Sequence, residues 1–430
     1  MPLRVAILST GEELTTGKIA DTNAQWLCDR AFTLGIEVAC VLCVGDDHDK
    51  ITWAWERAFD VADVVVGTGG LGPTTDDLTT ETVAALLGEK LRFDEASAEK
   101  IRKLFASMNR EMPENNLRQA QFPESAVILE NPLGTAPGFR VSFEREVGGA
   151  RVPRHLVVMP GVPREMKPMF DDTVVPWLLG LPGVSGSPVE RVFQTFGLSE
   201  SALGERVSGL PGIEDVRVSY RASFPKIAVK LILPGSAERA EERIDGLAGR
   251  VREALGPAVY AEGEATMEEE VGRVLLERGA TIAVAESCTG GLIGHRLTEV
   301  AGSSAYLLAD FVTYSNEAKA SVLGVSPETL ESHGAVSEQT VREMAAGARR
   351  RTGATVAVAT SGVAGPGGGT EERPVGTVCF ALDADGVQLS ARHQLWGTRQ
   401  WIKLLTSQIA LDWVRRWAAG LPVLDSGLRS

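Results

Sequence analysis

Short apolar runs alternate with stretches of helical period from the first residues of the chain. Residues 3–9, 36–44 and 63–67 read as strands, while 22–32 and 50–59, between them, carry apolar residues three and four apart. This β-α-β-α-β order predicts a mostly parallel sheet with helices on both faces. A helical stretch, 94–108, is broken at Pro113-Glu114-Asn115-Asn116. Strands 139–143 and 155–159 follow around a Gly148-Gly149 turn, and the segment from Pro160 to Lys167 opens a helix with prolines where a first turn tolerates them. Gly, Pro, Ser and Val dominate 180–188 and mark a boundary. Beyond it, strands 190–195, 214–220 and 226–233 with helices 199–207 and 237–255 predict a small α+β module. A second junction near 262–267 leads to helix 268–278 and to strands 281–285, 304–312, 354–359, 374–382 and 387–395. The longest helices there are 338–351 and 400–417, in which Trp401, Leu405, Ile409 and Trp413 recur at helical spacing and read as core. From Gly420 the chain reads as a frayed tail. The predicted fold class is α/β, with two three-layer α/β domains at 1–180 and 267–420 joined by the α+β module at 188–262.

Composition narrows the function classes. A chain of 430 residues exceeds one ordinary core, so two or three domains are expected. Its net charge of −14, with no basic block, argues against a nucleic-acid partner and leaves small anionic substrates open. Five cysteines, odd in number and without paired zinc spacing, read as reduced thiols of a cytoplasmic protein. No apolar run approaches the roughly 18 residues of a membrane span, and the opening run reaches Gly11-Glu12-Glu13 too soon for a signal peptide.

Two stretches carry candidate chemistry. In the first, Ala283 to Gly294, a buried strand ends in Glu286-Ser287-Cys288-Thr289-Gly290-Gly291 before a helix. Ser287 there is either an N-cap or a nucleophile, since a helix start offers free N–H groups and partial positive charge. The segments Thr313 to Lys319 and Thr360-Ser361-Gly362-Val363-Ala364-Gly365 also follow apolar runs, so hydroxyls, a lysine and a glycine loop can meet at one edge of a sheet. The second stretch runs from Thr68-Gly69-Gly70-Leu71-Gly72 to Asp76-Asp77. A plain turn needs one glycine, whereas this loop offers an anion nest beside carboxylates able to hold phosphate oxygens or a divalent cation. Asp46 and Asp47 end the second strand, 36–44, on the same predicted edge.

These motifs, in this order, resemble the CinA family (competence/damage-inducible protein A). The Glu286 to Gly291, Thr313 to Lys319 and Ser361 to Pro366 segments are similar to its nicotinamide mononucleotide deamidase domain. Asp21-Thr22-Asn23, Thr68 to Asp77, Pro113 to Gln119, Gly134 to Gly138 and Pro160 to Lys167 are similar to its domain of molybdopterin-binding fold. The resemblance implies a KH-like connecting module and a homodimer. It also implies hydrolysis of nicotinamide mononucleotide to the nicotinate nucleotide and ammonia, with no cofactor. Ser287 would be the nucleophile and Lys319 its base, a pairing that needs burial to lower the lysine pKa. Thr289, Gly290, Gly291, Tyr314, Asn316, Thr360, Ser361, Gly362 and Gly365 would surround the substrate, with oxyanion donors among the N–H groups of 289–291. Arg399 reads equally as a phosphate partner or a surface residue, and Cys288 is the weaker alternative nucleophile. For the amino-terminal domain the resemblance implies a pyrophosphatase acting on ADP-ribose with Mg, Mn or Co. Asp46 and Asp77 would hold the metal, Asp77 acting in catalysis. Thr68, Gly69, Gly70, Gly72, Asn23 and Thr135 would bind substrate. Competing readings are a non-catalytic molybdopterin-binding module and a competence-related scaffold. Two departures from the family pattern are Thr398, where aspartate is expected, and Glu12, where aspartate is expected after the Ser9-Thr10-Gly11 turn.

Overall fold

A computed structural model describes residues 2–184, 186–235 and 237–424. The chain divides into two compact units, Met1–Val189 with Pro234–Ala240, and Glu190–Leu233 with Glu241–Ser430.

In the first unit, β1 (Arg4–Thr10), α1 (Thr22–Thr33), β2 (Glu37–Val44), α2 (His48–Val61) and β3 (Val64–Thr68) follow the predicted alternation. After α3 (Thr79–Leu87) come β4 (Val127–Leu129), β5 (Gly138–Val147), β6 (Ala150–Met159) and α4 (Pro163–Met169). The six strands form one sheet in the order β2-β1-β3-β6-β5-β4. The first four run parallel, and β5 runs antiparallel to both of its neighbours, β6 and β4. Successive residues of β1 serve opposite faces. Ala6 and Leu8 pack with Trp55 and Phe59 of α2, while Val5 and Ile7 pack with Leu27 and Ala31 of α1. A strand buried on both faces must be apolar at every position, which is why β1 and β3 stand out as unbroken runs. The β5–β6 hairpin runs longer than expected, pairing out to Val147 and Ala150. Its outer half alternates polar with apolar residues and so lacks a continuous apolar run.

The second unit begins with β7 (Val189–Thr195), α5 (Glu200–Ser208), β8 (Arg217–Ser223), β9 (Lys226–Leu233), α6 (Ala240–Leu255) and β10 (Val259–Glu262), a four-stranded sheet ordered β8-β9-β7-β10. Next come α7 (Met267–Arg278), β11 (Ile282–Glu286), α8 (Leu292–Thr298), β12 (Leu307–Val312), α9 (Asn316–Leu323) and α10 (Glu338–Thr352). The chain continues through β13 (Val356–Gly362), β14 (Thr377–Ala384), β15 (Val387–Gln394) and α11 (Arg399–Ala418). This second sheet is ordered β12-β11-β13-β14-β15, parallel in its first three strands. Its two faces differ in size of side chain. Ile282, Val284, Val356, Val358, Phe380 and Leu382 meet Ile409 and Trp413 of α11. Ala283, Ala285, Ala357, Ala359 and Ala381 meet Val341, Met344 and Ala345 of α10.

Three expectations are corrected. Trp401 is 43% exposed, unlike the buried Leu405, Ile409 and Trp413, because it lies in the first turn of α11, ahead of the part enclosed by the sheet. The strand expected from Ser304 starts at Leu307, after a 3-10 turn at Ser303–Ala305 entered through Gly302 at φ 85°. The expected tail does not fray at once. Leu421 N–H donates to Arg416 O at 2.8 Å and Val423 is buried, while 425–430, where the rest of that expectation falls, lie outside the described residues.

Candidate functional site

Three segments of the second unit converge on Ser287. It follows the last residue of β11, and its N–H donates to Thr360 O of β13 at 3.1 Å. Lys319 lies in the first turn of α9, which Ser315 caps by accepting Ala318 N–H. Helical side chains lean toward the helix amino terminus, so Lys319 reaches back beneath its own cap. Its Nζ donates to Ser287 Oγ at 3.1 Å, to Thr313 O at 2.9 Å and to Tyr314 O at 3.3 Å. The lysine is 1% exposed, and burial lowers its pKa from the ordinary value. Cys288, also buried, has its thiol pushed up to about 12 by desolvation. A thiol held that firmly in its protonated form is a poor nucleophile.

The expected substrate groups divide into those that hold the loop and those that stay accessible. Thr289 and Thr360 share a hydrogen bond at 3.0 Å and are both fully buried. Ser361 donates to Ala335 O at 2.7 Å and is likewise buried. Each of these three hydroxyls, expected to face substrate, makes a hydrogen bond within the protein. Among the expected oxyanion donors, Gly290 N–H donates to Ser287 O and Gly291 N–H to Glu286 Oε2. Gly362 ends β13, with its would-be Cβ blocked by Val378 and Thr377 O. Asn316 and Tyr314 are exposed. Arg399, the first residue of α11, donates to Gly365 O at 2.8 Å and to the Tyr314 hydroxyl at 3.3 Å, so it belongs to this cluster. Thr398 caps α11 by accepting Trp401 N–H, the job an aspartate would do.

Two further groups were missed from the sequence. Lys403 lies one turn beyond Arg399 on α11, and its Nζ is 3.7 Å from where a Cβ on Gly290 would be. The signal available was the four-residue spacing of the two cations. Glu286 is wholly buried and accepts N–H groups of Gly291, Ile293 and Gly294 at 2.9, 2.7 and 2.9 Å. It thereby neutralises the start of α8 and fixes the loop that carries Ser287. Asp310 of β12 lies beside it, with its pKa raised to about 8 by burial and by the Glu286 charge.

In the first unit the glycine loop lines a cavity of about 580 Å³ together with Thr10, Glu13, Asp46, Asp76, Asp77, Thr135 and Glu165. Gly69, Gly70 and Gly72 all border it. A Cβ at each would collide with the protein's own Thr10 O, Thr79 Oγ1 or Asp77 Oδ2, and Gly69 and Gly70 have φ of 99° and 65°. The glycines are thus required by the loop's own packing. Thr68 is buried within β3 and does not border the cavity, since its side chain turns to Ser9. Asn23 donates to Gly161 O at 2.7 Å and supports a loop that borders the cavity. Glu12 turns against Gly45 and its N–H donates to Asp46 Oδ2, so the neighbouring Glu13 is the one that borders the cavity.

Asp46 and Asp77 both face this cavity. Burial, and the charges of Glu13, Asp76 and Asp77, raise the Asp46 pKa against the effect of its bond to Glu12 N–H. Such crowding of carboxylates favours a cation, and an all-oxygen set suits Mg²⁺. Among the described residues no three His, Cys, Asp or Glu side chains form a metal cluster. A cation between Asp46 and Asp77 would therefore complete its shell with water and substrate oxygens, as Mg²⁺ commonly does.

Comparison with known proteins covers nearly the whole chain. Residues 264–418 match the family model for the CinA C-terminal domain, 6–180 a probable molybdopterin binding domain, and 190–261 the damage-inducible protein CinA KH domain. A CinA-like protein from Desulfosudis oleivorans is 45% identical over 417 residues, spanning 95% of this chain and 98% of the relative. A Shewanella oneidensis protein named nicotinamide-nucleotide amidohydrolase PncC is 40% identical over 415 residues, with 96% of each chain covered. Among solved structures, the competence/damage inducible protein CihA from Agrobacterium tumefaciens is 46% identical, covering 34% of this chain and 93% of its own with a TM-score of 0.33. Among the described residues no helix is long and apolar enough to cross a membrane. With its α/β architecture, its KH-like module and relatives matched from end to end, the chain belongs to the CinA-like family.

Proposed function

We propose that the second unit hydrolyses the carboxamide of nicotinamide mononucleotide, giving nicotinate mononucleotide and ammonia, with Ser287 as nucleophile and Lys319 as base. The observation that carries this reading is the surroundings of the lysine amine. A neutral amine has two N–H bonds and one lone pair. Thr313 O and Tyr314 O accept the first two, which leaves the lone pair for the hydroxyl proton of Ser287, 3.1 Å away. Burial, which lowers the lysine pKa, supports the neutral form.

The steps follow from these positions. Ser287 Oγ attacks the carboxamide carbon while its proton passes to Lys319 Nζ. The protonated amine then returns that proton to the departing nitrogen, and the C–N bond breaks to release ammonia. Water attacks the resulting ester, giving up a proton to Lys319, which passes it to Ser287 Oγ as the C–O bond breaks, so that the acid leaves and ionises to the carboxylate with serine and neutral lysine restored. Arg399 and Lys403 supply positive charge suited to the nucleotide phosphate. The Shewanella oneidensis relative's name supports the substrate class. Incubating the full chain with nicotinamide mononucleotide tests the reading. Ammonia and nicotinate mononucleotide in equal amounts are expected, with or without a chelator, and an absence of ammonia would overturn it.

For the first unit we propose metal-dependent hydrolysis of ADP-ribose, on the strength of the acidic cavity beside the glycine loop. Held by Asp46 and Asp77, Mg, Mn or Co would polarise a phosphoryl group and lower the pKa of a bound water. Thr135 and the loop from Gly69 to Gly72 border the space the pyrophosphate would occupy. Release of AMP and ribose phosphate from ADP-ribose only in the presence of the metal is the expected result. Tight binding without turnover would instead favour a non-catalytic nucleotide-binding module.

A further inference from the structure

The β8–β9 hairpin of the α+β module ends at Phe224 and Pro225. Phe224 lies flat on Trp401, with ring centroids 4.5 Å apart and planes 20° apart, and meets Trp396 edge-on at 5.8 Å. Trp396 and Trp401 also contact each other at 5.6 Å. These two tryptophans bracket the cap of α11. A Cβ on Gly397 would come 3.1 Å from the Cβ and ring of Trp401, and Trp401 N–H donates to Thr398 Oγ1. Arg399 sits between them and reaches Gly365 O and the Tyr314 hydroxyl. A continuous set of contacts therefore runs from the hairpin tip through the Trp401 ring and the Gly397-Thr398 cap to the Arg399 guanidinium. Without Phe224, the flat face of Trp401 would lie open and the first turn of α11, free to fray, would hold Arg399 less firmly.

We infer that Phe224 of the KH-like module is a positioning residue for the phosphate end of the Ser287 site. It acts through Trp401 on Arg399 and has no part in the chemistry at Ser287. The inference rests on the proposed reading of that site as one for a nicotinamide nucleotide. Because only the phosphate end is involved, Phe224 should influence nicotinamide mononucleotide and leave nicotinamide riboside, which lacks the phosphate, untouched.

Calorimetry on the full chain with both ligands tests this, together with ammonia release. Phe224→Ala should weaken nicotinamide mononucleotide binding by about threefold to tenfold, the range for one aromatic contact. Riboside affinity should stay unchanged, kcat should stay within about twofold, and Phe224→Tyr should restore binding. Unchanged nucleotide affinity in Phe224→Ala, or an equal loss for nucleotide and riboside, would overturn the inference. Ammonia release by the parent protein is read separately. Its absence would defeat the proposed reaction, while the binding comparison would still decide the role of Phe224.

Discussion

The two candidate sites place their charged groups in opposite settings. Beside Ser287 the two ionisable groups that fix the loop and the proton path, Lys319 and Glu286, are buried and partnered. Lys319 is enclosed with Thr313 O, Tyr314 O and the Ser287 hydroxyl around its amine, and Glu286 is enclosed with three N–H donors. Around the glycine loop the carboxylates of Glu13, Asp46, Asp76 and Asp77 share an open cavity, and burial with the charges of the other three raises the pKa of Asp46. In the first setting the protein supplies the partners of Lys319 and Glu286 itself, and these define the proton transfer the lysine can perform. In the second, like charges face a common space, which suits the cation proposed for it.

Substitutions can break this contrast at either end. Lys319→Met should cut deamidation about a thousandfold while leaving ADP-ribose hydrolysis intact, as measured by ammonia and AMP release on one preparation. The parent rate should rise with pH through a titration below the ordinary lysine value of 10.5, because burial lowers that pKa and the neutral amine is the active form. A profile unaltered by the substitution would remove the lysine from the base role. Asp77→Ala should lower metal-dependent ADP-ribose hydrolysis about a hundredfold and spare deamidation. Simultaneous loss of both activities would mark general misfolding.

Smaller effects sharpen the comparison. Gly70→Ala places a methyl group against Thr79 Oγ1 at φ 65°, and should destabilise the chain by about 1 to 2 kcal/mol without changing deamidation. Thermal unfolding followed with and without the substitution reads this, and an unchanged midpoint would refute the packing argument. Asp310 has its pKa raised from 3.8 to about 8 in the folded protein. The folded state therefore holds a proton that the unfolded state releases between those values. This contribution is complete below 3.8 and fades as pH rises toward about 8. Asp310→Asn should flatten that part of the stability profile, and a parallel profile would show that Asp310 ionises normally.

The pattern of apolar runs revealed the six-stranded and five-stranded sheets because their central strands are buried on two faces. It failed where polar and apolar residues alternate, as in the outer half of the β5–β6 hairpin, and where a helix emerges from the core, as at Trp401. At the sites, Ser287 and Lys319 were legible as motif residues. Their 3.1 Å approach depends on the β11–β12 register and on the Ser315 cap, which spacing alone does not specify. Thr360, Ser361 and Thr68 have an arrangement that the sequence did not show, for a common reason. A hydroxyl near a strand end can as readily bond to its neighbours inside the protein as face a ligand, and all three do the former. Lys403 escaped notice because its relevance arises only from the packing of α11 beside Gly290.

The central claim is that Ser287, and not the adjacent buried Cys288, attacks the carboxamide. Ammonia release from nicotinamide mononucleotide by Ser287→Ala and Cys288→Ala, measured side by side, tests it most directly. The serine variant is expected to fall to background and the cysteine variant to retain most of the parent rate. Turnover by Ser287→Ala near the parent rate, or loss confined to Cys288→Ala, would contradict the account.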